Sequence, residues 1–277
     1  MRKQIFYFLA VITLFLHTSC NNGGQTEKET SFVFVPGAYH GKWCWDQIIA
    51  NLVEDGYKAV AIDLPAHGND TTKISNVSLS LYIDKVVGVI NELDKPVILV
   101  GHSAGGMTIS GVAERIPEQI KALIFVSAVI PQDSETLLSV KDPNPSGIQF
   151  YEISDDGSYA TVIPEMGEKV FYHDSKKDPS TYVERLNPEP IAPLTTPIEL
   201  SQQRFGSVPR YFVECTQDRV LSIDLQKLWQ QRSPCKQVYT METGHLPFLA
   251  KPNEFTEIIL NIANREEKKL ITTYIAH

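Results

Sequence analysis

The chain has 277 residues, of which 43% are hydrophobic and 21% are charged, proportions that suit one sizeable globular α/β domain. Its 33 acidic side chains outnumber 25 basic ones, which gives a formal net charge of -8. This balance leaves no broad basic face, so it argues against nucleic acid, or an anionic membrane, as a partner of the folded domain. We therefore expect a small molecule as the partner.

The first 20 residues have the pattern of a secretory signal. Arg2 and Lys3 precede a twelve-residue apolar run, Ile5–Leu16, which is too short to span a bilayer because a spanning helix needs about 20 residues. We predict that this segment is a signal peptide rather than part of the fold.

The end of the signal resembles that of a bacterial lipoprotein, in which a cysteine after small residues becomes lipidated. Cys20 stands at that position, although His17 occupies a place where leucine is usual. The sequence predicts lipidation of Cys20, a polar tether over residues 21–30, and an enzyme held on the extracytoplasmic side of a membrane. Plain secretion and an uncleaved anchor are the alternatives.

Beyond residue 31, short apolar runs alternate with amphipathic segments, which predicts a mostly parallel, doubly wound sheet with helices on both faces. The six strand candidates are "FVFVPG", "KAVAIDL", "PVILVGHS", "ALIFVSAVI", "RYFVECTQ" and "QVYTME". The five helix candidates are "WDQIIANLVEDG", "SLYIDKVVGVINEL", "AGGMTISGVAERI", "IDLQKLWQQ" and "PNEFTEIILNIANREEKK". Gly56 is placed to end the first helix and Ser222 to cap the fourth.

Residues 132–209 break this alternation. The interval has no clear strand candidate and holds nine of the 17 prolines, which interrupt long regular elements. Seven aromatic residues recur in it: Phe150, Tyr151, Tyr159, Phe171, Tyr172, Tyr182 and Phe205. We interpret it as a helical cap, inserted between core segments 31–131 and 210–277, that covers the sheet edge where ligands bind.

"GHSAG", Gly101 to Gly105, matches the nucleophile-elbow pattern, in which glycines let a strand turn sharply into a helix with the serine at the apex. The five residues alone are weak evidence. Their context is stronger, because a buried-strand run precedes them and a helix candidate follows. Ser103 is the predicted nucleophile.

A serine needs a base to remove its proton and an acid to orient that base. His245 follows the last strand candidate and is preferred over His40. Asp218 follows the penultimate strand candidate, with Asp133 as the rival acid. Because the carboxyl ends of parallel strands share one edge of a sheet, these residues can meet Ser103 there.

Acyl transfer also requires donors for the oxyanion. The backbone N–H of Ala104, just after the serine, is one candidate, and the loop after the first strand supplies the other. Ala38 is the choice in that loop, with Gly37 giving the backbone freedom to present its N–H, since Pro36 has none. The three cysteines left after Cys20, namely Cys44, Cys215 and Cys235, show no metal-type spacing, and we expect burial for the first two, no metal and no cofactor.

The motifs "FVFVPGAYHGKWCW", "AVAIDLPAHG", "VILVGHSAGGM", "RFGSVPRYFVECTQDRV" and "METGHLPFLAKPNEF" resemble those of the α/β-hydrolase family of plant methyl esterases and hydroxynitrile lyases and its bacterial relatives. The resemblance implies an α/β-hydrolase fold and the same roles for Ser103, Asp218 and His245, with Ala38 and Ala104 as oxyanion donors. Two positions depart from the family. Pro36 replaces a usual histidine, and Leu246 stands where the lyases carry a lysine for the cyanide leaving group.

The sequence thus predicts a serine carboxylesterase for a small-molecule ester. The family resemblance implies small aryl or alkyl esters, and its bacterial relatives imply bulkier esters such as pyrethroids and macrolide lactones. A hydroxynitrile lyase, which Leu246 disfavours, and a non-catalytic receptor for a small ligand are the alternatives. The oligomeric state is not predicted.

Overall fold

A computed structural model of the chain describes residues 28–140 and 146–275. The strands are β1 (Ser31–Val35), β2 (Lys58–Ala61), β3 (Val97–His102), β4 (Ile120–Val126), β5 (Tyr151–Ile153), β6 (Tyr159–Val162), β7 (Glu189–Pro190), β8 (Arg210–Cys215) and β9 (Gln237–Met241). The α-helices are α1 (Asp46–Glu54), α2 (Leu79–Asn91), α3 (Gly105–Arg115), α4 (Leu137–Val140), α5 (Pro164–Phe171), α6 (Ser180–Val183), α7 (Ile191–Thr195), α8 (Ile223–Arg232), α9 (Pro247–Ala250) and α10 (Pro252–Ile275).

Six strands form a parallel sheet in the order β2-β1-β3-β4-β8-β9. They correspond to the six strand candidates. Successive residues of β1 face opposite sides, so Phe32 joins one hydrophobic cluster and Val33 the other. Both are fully buried, which explains why the strand reads as a continuous apolar run rather than an alternating one.

Helices cover both faces of the sheet, as the sequence predicts. Residues of α2, α3 and α8 belong to the cluster on one face, and residues of α1 and α10 to the cluster on the other. Gly56 has a φ of 83° after the end of α1, and the Ser222 hydroxyl accepts a hydrogen bond from the N–H of Leu225 at 3.2 Å. The predicted stop and cap are both confirmed.

The segment between β4 and β8 differs from the predicted helical cap. Besides the four short α-helices α4–α7, its described residues form a three-stranded antiparallel sheet, β5-β6-β7. The strands have only three, four and two residues, too few to show an alternating pattern, and Pro190 occupies the edge strand, where a missing N–H is tolerated. The expectation of no strand in this interval was therefore wrong.

Two further expectations concern the cysteines and the N-terminal segment. Cys44 and Cys215 are buried free thiols, as predicted. The signal peptide, Cys20 and most of the tether lie outside the described residues. No helix in the described part of the chain is long and apolar enough to cross a membrane.

Helix α3 lies so close to the segment after β4 that Gly106 has no room for a side chain. A Cβ there would come within 2.0 Å of the carbonyl oxygen of Val129. We expect Gly106→Ala to lower the free energy of unfolding by about 1–3 kcal/mol or more, as overpacking does. Urea denaturation followed by circular dichroism measures the change.

Gly88, in α2, provides the matched control because an added Cβ would meet nothing within 4 Å. Gly88→Ala should instead raise the free energy of unfolding by about 0.5–1 kcal/mol, since alanine loses less entropy than glycine in a helix. Equal midpoints for the wild type and Gly106→Ala would contradict the prediction.

Candidate active site

Ser103 stands at the apex of the turn from β3 into α3, with a φ of 52°. This left-handed conformation costs a residue with a side chain about 1–2 kcal/mol. The turn is held by its own backbone. The N–H of Ser103 donates to Val126 at 3.2 Å, and its carbonyl accepts from the N–H groups of Gly106 at 3.1 Å and Val129 at 3.2 Å. The predicted strand, sharp turn and helix are all present.

The loop after β1 packs directly on this turn. A Cβ at Gly37 would lie 2.7 Å from the Cβ of Ser103, and one at Gly105 would lie 2.6 Å from the carbonyl oxygen of Pro36. Gly37 has no left-handed φ. The expectation that Gly37 supplies backbone freedom was therefore wrong. Glycine is required at this position because it lets the loop approach Ser103 closely.

His245 and Asp218 form a buried pair, with 2.7 Å between Nδ1 and Oδ2, and their side chains are 1% and 0% exposed. The carboxylate also accepts hydrogen bonds from the hydroxyl of Ser127 and from the N–H groups of Val220 at 2.7 Å and Leu221 at 2.9 Å. Each oxygen thus has two donors. The ionised acid fixes the proton of His245 on Nδ1, which leaves Nε2 as the free base.

The rival residues are used elsewhere. Asp133 is exposed and accepts from the N–H of Leu200 at 2.9 Å. Both nitrogens of the buried His40 are engaged, because Nδ1–H donates to the carbonyl of Ala38 at 2.8 Å and Nε2 accepts from the hydroxyl of Tyr172 at 2.8 Å. Burial lowers the pKa of His40 to about 3, so it is a neutral support of this loop.

His102 has a function that sequence reasoning missed. Its Nε2–H donates to the backbone carbonyl of His245 at 2.9 Å, and the two rings lie 4.5 Å apart. Burial, with a smaller contribution from the nearby histidines, holds the pKa of His102 well below its usual range. This neutral imidazole therefore supports the loop that carries His245. No local sequence signal predicts the contact.

Ala38 and Ala104 lie together at the cavity that contains Ser103. Within residues 28–140 and 146–275, the N–H of neither residue donates to another protein group. Two unused donors beside a serine have the arrangement that stabilises a developing oxyanion.

The cavity above Ser103 has a volume of about 440 Å³, within the usual range for small-molecule sites. Aliphatic and aromatic side chains dominate its walls, among them Val129, Phe150, Phe171 and Leu221. No charged side chain occurs among the described residues that line it. Of the seven aromatic residues named within residues 132–209, three line the cavity: Phe150, Tyr151 and Phe171.

A family model described as "Alpha/beta hydrolase family" matches residues 32–258. The chain belongs to this family. The predicted fold and family resemblance are thereby confirmed. The chain is also 33% identical over 255 residues to putative methylesterase 12, chloroplastic, of Arabidopsis thaliana, a match that covers 86% of this chain and 73% of the relative.

Two solved structures of α/β-hydrolases are similar to the chain. A pyrethroid hydrolase from Sphingobium faniae JZ-2 has a TM-score of 0.76 and 25% identity, with 85% of this chain and 97% of that one covered. Tomato methylketone synthase I complexed with 2-tridecanone has a TM-score of 0.77 and 26% identity, with 86% and 99% covered.

If Asp218 orients His245, its replacement by the isosteric amide should be damaging. The side-chain amide of the variant would favour the wrong tautomer of His245, as in other serine hydrolases, so we expect Asp218→Asn to lower kcat for p-nitrophenyl acetate by about 10³–10⁴-fold. Steady-state kinetics measures the change. Asp133→Asn is the matched control and should leave kcat unchanged; the reverse ranking of the two variants would identify Asp133 as the acid.

Proposed function

We propose that this α/β-hydrolase is a serine carboxylesterase that cleaves an uncharged, apolar small-molecule ester through an acyl-enzyme on Ser103. The observation that carries the proposal is that Ser103 and the unused N–H groups of Ala38 and Ala104 meet at one cavity whose described lining residues are all uncharged. A nucleophile, two oxyanion donors and a binding volume are the parts that acyl transfer requires.

The relatives support the reaction class. At that level the protein is a carboxylic ester hydrolase, since its similar proteins include a putative methylesterase and a pyrethroid hydrolase. Tomato methylketone synthase I binds 2-tridecanone, a long apolar ketone, on the same fold. That ligand suits an apolar cavity.

In the proposed mechanism, Nε2 of His245 takes the proton of the Ser103 hydroxyl as the oxygen attacks the ester carbonyl, and Asp218 stabilises the imidazolium that forms. The N–H groups of Ala38 and Ala104 bind the tetrahedral oxyanion. His245 then protonates the departing alcohol, and in the second half it activates the water that releases the acid from Ser103.

The walls of the cavity indicate the substrate class. Transferring an unpaired charge into such a site costs several kcal/mol, so a neutral ester is favoured. The volume of about 440 Å³ has room for a bulky substituent, and pyrethroid-like esters and macrolide lactones are candidates of that kind. The lyase alternative lacks support, because Leu246 is 1% exposed and supplies no cation for a cyanide leaving group.

Two esters of equal chain length test this proposal: neutral p-nitrophenyl butyrate and the singly charged mono-p-nitrophenyl succinate. We expect kcat/KM to be more than about 100-fold lower for the succinate. Each 1.4 kcal/mol of desolvation cost that no protein group offsets lowers kcat/KM about tenfold. Release of p-nitrophenol, corrected for the uncatalysed rates, gives both values.

Ser103→Ala is the control for the chemistry. It should abolish turnover of the butyrate, labelling by a fluorophosphonate and the acyl-enzyme mass adduct. Residual turnover close to that of the wild type would refute the serine mechanism, whereas equal rates for the two esters would refute the neutral-substrate assignment alone.

We also propose that Cys20 is lipidated and holds the enzyme on the extracytoplasmic side of a membrane. The support is the sequence pattern of a basic start, a short apolar run and small residues before the cysteine. Radioactive palmitate should label the full-length wild type expressed in a bacterium and should not label Cys20→Ala, since the acceptor thiol is gone. An unlabelled wild type would exclude the anchor.

A further inference from the structure

Glu189 and His67 form a buried ion pair that the mechanism above does not use. The Nε2 of His67 lies 2.8 Å from Oε2 of Glu189, and the side chains are 2% and 1% exposed. Burial opposes a proton on His67, but the charge of Glu189 and the hydrogen bond outweigh it and raise the pKa of His67 above its usual value. Nδ1 of His67 lies 3.2 Å from the carbonyl oxygen of Pro65, so both ring nitrogens face acceptors. An imidazole that donates from both nitrogens is protonated, which makes the pair a carboxylate beside an imidazolium.

The same oxygen of Glu189 holds the backbone beside the oxyanion donor. It accepts a hydrogen bond from the N–H of Tyr39 at 2.7 Å, and Tyr39 directly follows Ala38. Tyr39 has a φ of 67°, a left-handed conformation that is strained for an aromatic residue. The carbonyl of Tyr39 accepts from the N–H of Asn187 at 2.8 Å. The segment that contains Glu189 therefore forms hydrogen bonds with both the N–H and the carbonyl of the strained residue.

The peptide group between Ala38 and Tyr39 is fixed at both ends. Its carbonyl accepts from Nδ1–H of His40, and its N–H donates to Glu189. The Ala38 N–H belongs to the preceding peptide, which is joined to this one through the φ and ψ of Ala38. A carboxylate 150 residues away in sequence thus holds one of the two peptides that meet at the proposed oxyanion donor.

The charge of Glu189 also lies close to the site of reaction. Ala38, Ala104, His67 and Glu189 together line a small cavity of about 20 Å³, room for about one water molecule. An uncompensated carboxylate on the same small cavity as the two proposed donors would oppose the negative oxyanion in a low-dielectric site. The protonated His67 cancels this charge.

We propose that Glu189 and His67 are positioning residues of the oxyanion hole: Glu189 fixes the Tyr39 peptide so that the Ala38 N–H faces the cavity of Ser103, and His67 neutralises Glu189. This inference rests on the proposed function, in which Ala38 is an oxyanion donor. It concerns transition-state stabilisation, so it predicts loss of kcat with little change in KM.

Glu189→Ala removes the acceptor, and Glu189→Gln keeps an oxygen that can accept from Tyr39. We expect kcat for p-nitrophenyl butyrate to fall about 10²-fold in Glu189→Ala, approaching the loss of an oxyanion donor, with KM within about threefold of the wild-type value. Glu189→Gln should recover most of the lost kcat. An arylboronic acid, which forms a tetrahedral anion on the serine, should bind more weakly to Glu189→Ala in parallel with kcat.

Glu114→Ala is the matched control for lost stability. Glu114 accepts from the N–H groups of Ser201 at 2.8 Å and Phe205 at 3.1 Å, so it also ties the core to the inserted segment, but it lines neither of the two cavities. We expect normal kcat and boronate affinity for this variant.

The neutralisation of Glu189 by His67 has a separate test. His67→Gln leaves Glu189 without a countercharge, so kcat should fall further than in Glu189→Gln, and the double variant His67→Gln/Glu189→Gln should regain activity over His67→Gln. No recovery in the double variant would overturn the neutralising role of His67.

The outcomes separate this inference from the proposed function. If Ser103→Ala is inactive while Glu189→Ala matches Glu114→Ala in kcat and boronate affinity, only the positioning role fails. If Ser103→Ala remains active, the serine mechanism itself fails, whatever the Glu189 variants show.

Discussion

The left-handed turn at Ser103 depends on the carboxyl end of β4. That strand lies between β3 and β8 in the sheet, so its end contacts the loops that follow both neighbours. Val126 accepts from the N–H of Ser103, and the next residue, Ser127, donates its hydroxyl to Asp218. Three backbone hydrogen bonds of about 0.5–1.5 kcal/mol each offset a strain of about 1–2 kcal/mol at Ser103. One strand end therefore fixes both the nucleophile and the acid of the proposed triad.

The inserted segment between β4 and β8 completes this support from the other side. Besides its hydrogen bonds to Tyr39, it donates the hydroxyl of Tyr172 to His40. A carboxylate oxygen of its Asp174 also accepts from the N–H of Gly244 at 2.6 Å, next to His245. These contacts reach two of the loops on which the proposed mechanism depends. The segment thus forms cavity walls and also orders the backbone beneath them, so changes that alter its packing are expected to affect catalysis as well as binding.

The sequence predicts most of the fold and identifies the candidate site residues because both depend on local signals. Buried parallel strands read as apolar runs, and their carboxyl ends share one edge of the sheet, where Ser103, Asp218 and His245 follow β3, β8 and β9. Ser127 and Glu189 carry no such signal. Their partners lie 91 and 150 residues away, and only tertiary packing determines the contacts. The strands β5–β7 escape prediction for a different reason, since elements of two to four residues are too short to show a period.

The distribution of charge around the cavity accounts for the selectivity that we infer. Every described residue lining the cavity is uncharged, so the oxyanion would be the only negative charge to develop there, opposite the His245 imidazolium. Hydrogen-bond donors act most strongly in such a low-dielectric site, and an unpaired negative charge nearby would act just as strongly against them. Burial of the paired Glu189 and His67 behind Ala38 gives the loop a strong anchor without that penalty. The low dielectric that favours a neutral ester thus also requires that Glu189 keep its countercharge.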